Sequence, residues 1–237
     1  MIFILIQSLI KGMKMIKTEV EKHVKKKIKY IVSMEIEAPF AMFARVDSGS
    51  EKTSSFFPPF SATKGIFESI LYLQRAEVIP TQVDICKPIE FQPWTFNYRG
   101  SLRKSALIKE NKICQIRAMV LKDVCYRLYA VVVNSDSQQF SEKSLKYKDI
   151  NHAHSYQSQF NKRLKRGQNY RTPHLGWSEF LPTYVGIFRD NTHPCEDINI
   201  TVPSVLFTCF DKLKEGNYDP AFVQNVKVNK GVVSYVK

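Results

Sequence analysis

Glycine is scarce in this chain, with 9 in 237 residues, and proline is held to 11. That excludes a collagen-like, low-complexity or disordered protein. Five cysteines (Cys86, Cys114, Cys125, Cys195 and Cys209) are scattered, odd in number and free of any CxxC spacing. A secreted disulfide framework and a structural zinc ribbon are therefore disfavoured, and a reducing cytoplasm is the default location. The apolar opening MIFILIQSLI falls short of the roughly 18–20 residues that span a bilayer. It also lacks a preceding positive region and a following small-residue cleavage site, so stable membrane insertion and a secretory signal are not expected. There is no G-x-S-x-G elbow and no phosphate-binding glycine loop. His152-x-His154 and His193-x-Cys195 do not have the spacing of a zinc finger. No metal or cofactor is expected.

Acidic residues are the remaining shortage: 22 Asp and Glu stand against 35 Lys and Arg, a net charge of +13. Residues 1–30 hold eight lysines and two glutamates, and residues 143–171 hold eight basic residues against Asp149 alone. The rest of the chain is neutral overall. Charge concentrated in this way points to a polyanion, either nucleic acid or an anionic membrane surface. Residues 1–29 read as a basic extension outside the folded domain, with Met13, Met15 or Met34 as alternative starts, or as an amphipathic surface segment.

Hydrophobic periodicity orders the remainder. Residues 28–37 read as a strand stopped by Ala38-Pro39, and residues 47–60 as a long loop. Ser61 or Thr63 can cap a helix whose core face carries Ile66, Ile70 and Leu73. Residues 78–91 form a broken strand region, and residues 93–112 an aromatic and basic connection. Residues 113–133 give the strongest strand signal, with a bulge or turn at Lys122-Asp123. Asp149 or Asn151 can cap a second helix with the stripe Ala153, Tyr156, Phe160 and Leu164, ended by Gly167. A strand near residues 178–188 completes the order strand, helix, strand, strand, helix, strand. The expected fold is α+β: a ferredoxin-like (RRM-like) βαββαβ domain over residues 30–190, with a small C-terminal β extension over residues 191–237.

A basic helix beside aromatics suits RNA, because bases stack on aromatic rings and cations meet phosphates. Trp94, Phe96, Tyr98, Tyr170 and Trp177 are stacking candidates, although aromatics at strand spacing also serve as core. Lys162, Arg163, Lys165, Arg166 and Arg171 are the candidate phosphate contacts.

Residues 160–180, FNKRLKRGQNYRTPHLGWSEF, resemble the F-x-R-R-x-x-[KR]-G-Q-x-[FY]-x-x-P-x-L-G-x-x-E-F signature of the fifth CRISPR-associated (Cas) family, subtype I-C. Three further blocks agree in order: AMFAR (Ala41–Arg45), PPFSATKGIFESI (Pro58–Ile70) and LKDVCYRLYA (Leu121–Ala130). The resemblance covers about residues 30–220 and implies an RNA-binding subunit of a type I-C interference complex. It implies metal-independent cleavage of precursor CRISPR RNA by the RNA's own 2′-hydroxyl, with the 5′ handle of the guide RNA kept afterwards. The partners would be that RNA and the other subunits of the complex. Arg45 and Lys64, within matched blocks, join Lys162, Arg163, Lys165, Arg166, Tyr170 and Arg171 as RNA-binding candidates. Nuclease members place a Tyr after the GIxESI segment and a Lys-His pair before FxRR. Here those positions fall on Leu71, with Tyr72 adjacent, and on Ser155 and Tyr156. The catalytic candidates are therefore Tyr72 as aligner and His154, then His152, as acid or base. The alternatives are a catalytically inactive handle-binding subunit and, remotely, a basic membrane-surface protein.

Overall fold

The computed structural model describes residues 30–49, 51–98, 114–135, 151–210 and 218–235. The extension 1–29, the basic side chains at 99, 103, 104, 143, 146 and 148, and the alternative cap Asp149 lie outside them, as does the Tyr98 side chain. β1 spans Ile31–Ala41, β2 Lys52–Thr53, β3 Ala76–Ile85, β4 Glu90–Tyr98 and β5 Cys114–Asn134. β6 spans Tyr184–Gly186, β7 Ile200–Phe210, β8 Tyr218–Asn229 and β9 Val232–Ser234. Helix α1, Phe60–Ile70, follows β2, and helix α2, His152–Lys165, follows β5.

The architecture is mixed α/β, with one sheet in the order β6-β1-β5-β3-β9-β8-β7 and antiparallel neighbours throughout. β4 lies antiparallel and β2 parallel against the first half of β5. Strand β5 is the organiser. Its N-terminal half pairs with β4 and its C-terminal half with β1 and β3, and between them Asp123 takes a φ of 50°.

Several local expectations are corrected. β1 does not stop at Ala38-Pro39 but runs to Ala41. Pro39 lies beyond the residues that β6 covers and stands opposite Asp123, so the ladder breaks for one residue and resumes at Phe40–Lys122. Residues 93–98 belong to β4 and not to a connection, because the half of β5 beyond β1 supplies them a partner. The second helix-flanking strand shrinks to Tyr184–Gly186. Neither Ser61 nor Thr63 caps α1. Pro59 holds the N-cap position, and the Thr63 hydroxyl lies buried between the Pro58 carbonyl and the Tyr235 phenol. Asn151 does cap α2, its side chain accepting from the His154 amide at 3.1 Å, and Gly167 ends that helix with a φ of +65°.

Both helices pack on one face of the sheet. The stripe Ala153, Tyr156, Phe160 and Leu164 is buried, with the Phe160 ring 5.6 Å from Phe67 of α1. β7, β8 and β9 join the same sheet through β9 on β3, and they bury Val202, Val205, Val228 and Val233 in the same core. A second, smaller core lies under the β4–β5 ribbon: Met42, Ala118, Val120 and Phe180, flanked by Phe40, Trp94 and Trp177.

The opposite face of β1 carries charge. Glu35 is fully buried and accepts hydrogen bonds from the Thr192 hydroxyl (2.6 Å), the Arg189 amide (3.0 Å) and the Arg189 guanidinium (2.6 Å). Arg189 also reaches Glu37, and Lys87 ties Glu37 to Asp123. This network pins the segment after β6 across the sheet.

Candidate nucleic-acid interface

Burying one stripe of α2 turns the rest of the helix outward. Lys162, Lys165 and Arg166 are exposed at its C-terminal end, where their charge complements the helix dipole. Arg163 is different. It is half-buried, and its guanidinium donates at 3.0 Å to the carbonyl of Ile70, the last residue of α1.

The chain leaving α2 folds back on the same spot. The amides of Tyr170 and Arg171 donate to the Ser69 carbonyl at 2.8 and 2.9 Å, and the Tyr170 amide also reaches Ile70 at 3.2 Å. Carbonyls left without partners at the end of α1 are thus satisfied by the loop that follows α2. Further along, the Met42 amide donates to Leu175 at 3.0 Å. Gly176 has a φ of +87°, and a Cβ there would lie 1.8 Å from the Met42 carbonyl oxygen, so only glycine lets the loop approach the end of β1.

Between α1 and this loop lies a cleft of about 560 Å³. Ala62, Gly65, Ile66 and Ser69 form its α1 side, and Tyr170, Arg171, Thr172 and His174 its loop side. Glu68, Tyr72 and Gly176 complete the lining. Tyr72 and Tyr170 are about half exposed, with their rings 6.4 Å apart and 26° from parallel, and the Arg171 guanidinium lies 5.5 Å from the Tyr170 ring centre. Two aromatic faces, a cation and an imidazole on one concave surface can hold an unstacked base and its phosphate.

The expected site residues divide accordingly. Tyr72, Tyr170 and Arg171 meet in the cleft, and Lys162, Lys165 and Arg166 stand on the helix end that leads into it. His152 and His154 begin α2, and neither lines the cleft; the His154 ring packs edge-on against Tyr30 at 5.7 Å. Lys64 is ion-paired with Glu77 at 2.9 Å, and Arg45 forks onto Asp47 at 2.6 and 2.9 Å. Tyr156, one of the two residues on which the expected Lys-His pair falls, is buried, which pushes its phenol far above the ordinary range, and it donates at 2.7 Å to the Leu71 carbonyl. Of the aromatic candidates, Trp94, Phe96 and Trp177 pack within the second core and its rim. His174 was not among the expected site residues. Its signal was its place inside the matched P-x-L-G stretch, but periodicity does not show that this stretch returns to α1.

No protein-family model matches the chain. A curated CRISPR pre-crRNA endoribonuclease Cas5d of Thermus thermophilus is 25% identical over 177 residues, which are 74% of this chain and 72% of that protein. A Cas5d of the same description from Mannheimia succiniciproducens is 23% identical over 175 residues, 68% of this chain and 73% of that protein. The crystal structure of a CRISPR-associated protein shares the fold with a TM-score of 0.63, at 16% identity, over 87% of this chain and 92% of that one. Among the described residues, no helix is long and apolar enough to cross a membrane, which says nothing of a β-barrel.

Proposed function

We propose that this chain binds the repeat of precursor CRISPR RNA, cuts it without a metal, and keeps the 5′ handle of the guide RNA as a subunit of a type I-C interference complex in the cytoplasm. The observation that carries this reading is the likeness to two curated pre-crRNA endoribonucleases across about three-quarters of their length. The basic end of α2, leading into an aromatic cleft, supports it. In this reading the unit β1-α1-β3-β5-α2-β6 is a ferredoxin-like domain within residues 30–190, an assignment supported by the strand order β6-β1-β5-β3. Residues 191–237 are its C-terminal β extension.

Lys162, Lys165 and Arg166 supply phosphate contacts, Tyr170 a stacking face and Arg171 a cation beside it. Tyr72 aligns the reacting groups, and His154 or His152 serves as the base, reached through water, for the attacking 2′-hydroxyl. Arg45, Lys64 and Arg163 already hold intramolecular partners, so each reaches a phosphate only with the donors that its partner leaves over.

A second reading, a handle-binding subunit without nuclease activity, is favoured by one observation. The family's Lys-His positions are Ser155 and a buried, hydrogen-bonded Tyr156. Incubating the full-length protein with the repeat RNA of its source genome and with a scrambled RNA, both in EDTA, separates the two. Cleavage of the repeat alone supports the nuclease. Tight, repeat-selective binding with intact RNA supports the binder.

A further inference from the structure

We propose that the cleft between α1 and the 170–176 loop seats the nucleotides flanking the scissile phosphate, and that the His174 imidazole protonates the departing 5′-oxygen. The inference rests on the RNA-cleaving reading above and deepens it.

Three independent features of the cleft converge. The first is the pair of half-exposed rings, Tyr72 and Tyr170, which lie within 26° of parallel at 6.4 Å. Exposed aromatic faces aligned this way, with Arg171 beside one of them, suit a splayed nucleobase and its phosphate. The second is Gly65. It sits inside α1, where glycine is a poorer helix former than alanine, and a Cβ built on it meets nothing within 4 Å. Neither packing nor backbone geometry requires a glycine at that position. What its missing side chain does is keep the α1 side of the cleft open for a close approach. The third is His174, which lines the cleft together with Tyr72 and Arg171, whereas His152 and His154 do not. Histidine is the side chain suited to donate and regain a proton near neutral pH.

The step balances without an added reactant. The 2′-oxygen forms its bond to phosphorus as the bond from phosphorus to the 5′-oxygen breaks. The 2′-hydroxyl proton passes to water, and the imidazolium gives its proton to the 5′-oxygen. The products are a 2′,3′-cyclic phosphate and a 5′-hydroxyl, and the imidazole regains a proton from water. Arg171, on the same side of the cleft, offsets the charge that builds on the phosphate oxygens.

The test uses the full-length protein and the repeat RNA in two forms, with the natural 5′-oxygen or with sulfur bridging at the scissile position. Sulfur departs without needing a proton, so loss of a general acid slows only the oxygen form. His174→Ala is expected to cut the oxygen RNA about 10²–10⁴-fold more slowly and the sulfur RNA at close to the unsubstituted rate. Equal slowing of both forms, or no slowing, overturns the assignment of His174. Gly65→Ala is expected to melt about 2 °C higher while binding the repeat RNA at least tenfold more weakly. Undiminished binding overturns the seating of RNA in the cleft. If the unsubstituted protein binds the repeat but cuts neither form, the nuclease reading falls and the role of His174 falls with it, while the Gly65→Ala binding result still decides the seat.

Discussion

The phenol of Tyr156 donates a 2.7 Å hydrogen bond to the main-chain carbonyl of Leu71. It joins the middle of α2 to the residue after α1 and fixes the backbone next to Tyr72. A residue on which the expected Lys-His pair falls is thus a structural tie. Tyr156→Phe leaves that buried carbonyl without a partner and is expected to lower stability by about 1–3 kcal/mol. Denaturant unfolding measures the loss, and an unchanged midpoint would contradict it.

The basic residues of α2 should separate into two kinds. Replacing Lys162, Lys165 and Arg166 together with alanine should weaken RNA binding and flatten its logarithmic salt dependence by about 0.7 for each phosphate no longer neutralised. Arg163→Ala should act mainly through stability, because its guanidinium serves the Ile70 carbonyl. Titrations of RNA binding at several salt concentrations, beside thermal melts, distinguish the two. Equal effects from all four residues would show that the intramolecular bond does not set Arg163 apart.

Acid sensitivity should trace to Glu35. Burial pushes its carboxyl up, but the hydrogen bonds from Thr192 and from the amide and guanidinium of Arg189 outweigh burial and hold it below its ordinary 4.5. Glu37 is lowered as well, chiefly by its hydrogen bond from Lys87. A depressed acid contributes stability that is fully present above the unfolded value and is lost as pH falls through the folded one. Stability should therefore drop below about pH 4.5, and Glu35→Gln should flatten that drop. At neutral pH, Glu35→Ala should cost about 3 kcal/mol, the low end for a broken buried pair because the Arg189 side chain is 32% exposed and screened. Urea melts at pH 7 and pH 4 test both statements.

Gly176→Ala should damage the cleft from behind. The positive φ alone costs about 1–3 kcal/mol for a residue with a side chain, and the added Cβ meets the Met42 carbonyl at 1.8 Å. The loop that carries Tyr170 and His174 must then move off β1. The expected outcome is a lower melting temperature together with weaker RNA binding. Unaltered binding would show that the loop's docking does not shape the RNA site.

Elements whose signal is local were legible in the sequence. The α2 stripe, its Asn151 cap and its Gly167 terminus were open to pattern reading because periodicity and capping are encoded within a few residues of each other. What depended on a distant partner was not. Residues 93–98 become a strand only because β5 runs on past β1, and β1 continues through Pro39 only because Asp123 opposite it also departs from the ladder. The site followed the same rule. Tyr170 and Arg171 were found from charge and aromatic content, whereas His174 enters the cleft through the return of its loop onto α1, held by Ser69, Ile70 and Met42. The histidines that begin α2 were the natural candidates in a linear reading, since they stand nearest the expected dyad.

The most direct test of the central claim is single-turnover incubation of the full-length protein with end-labelled repeat RNA in EDTA, followed by analysis of the product ends. The expected result is one cut within the repeat, leaving a 2′,3′-cyclic phosphate on one fragment and a 5′-hydroxyl on the other, with the 5′-handle RNA still bound. Intact repeat RNA that the protein binds no better than a scrambled sequence would contradict the account.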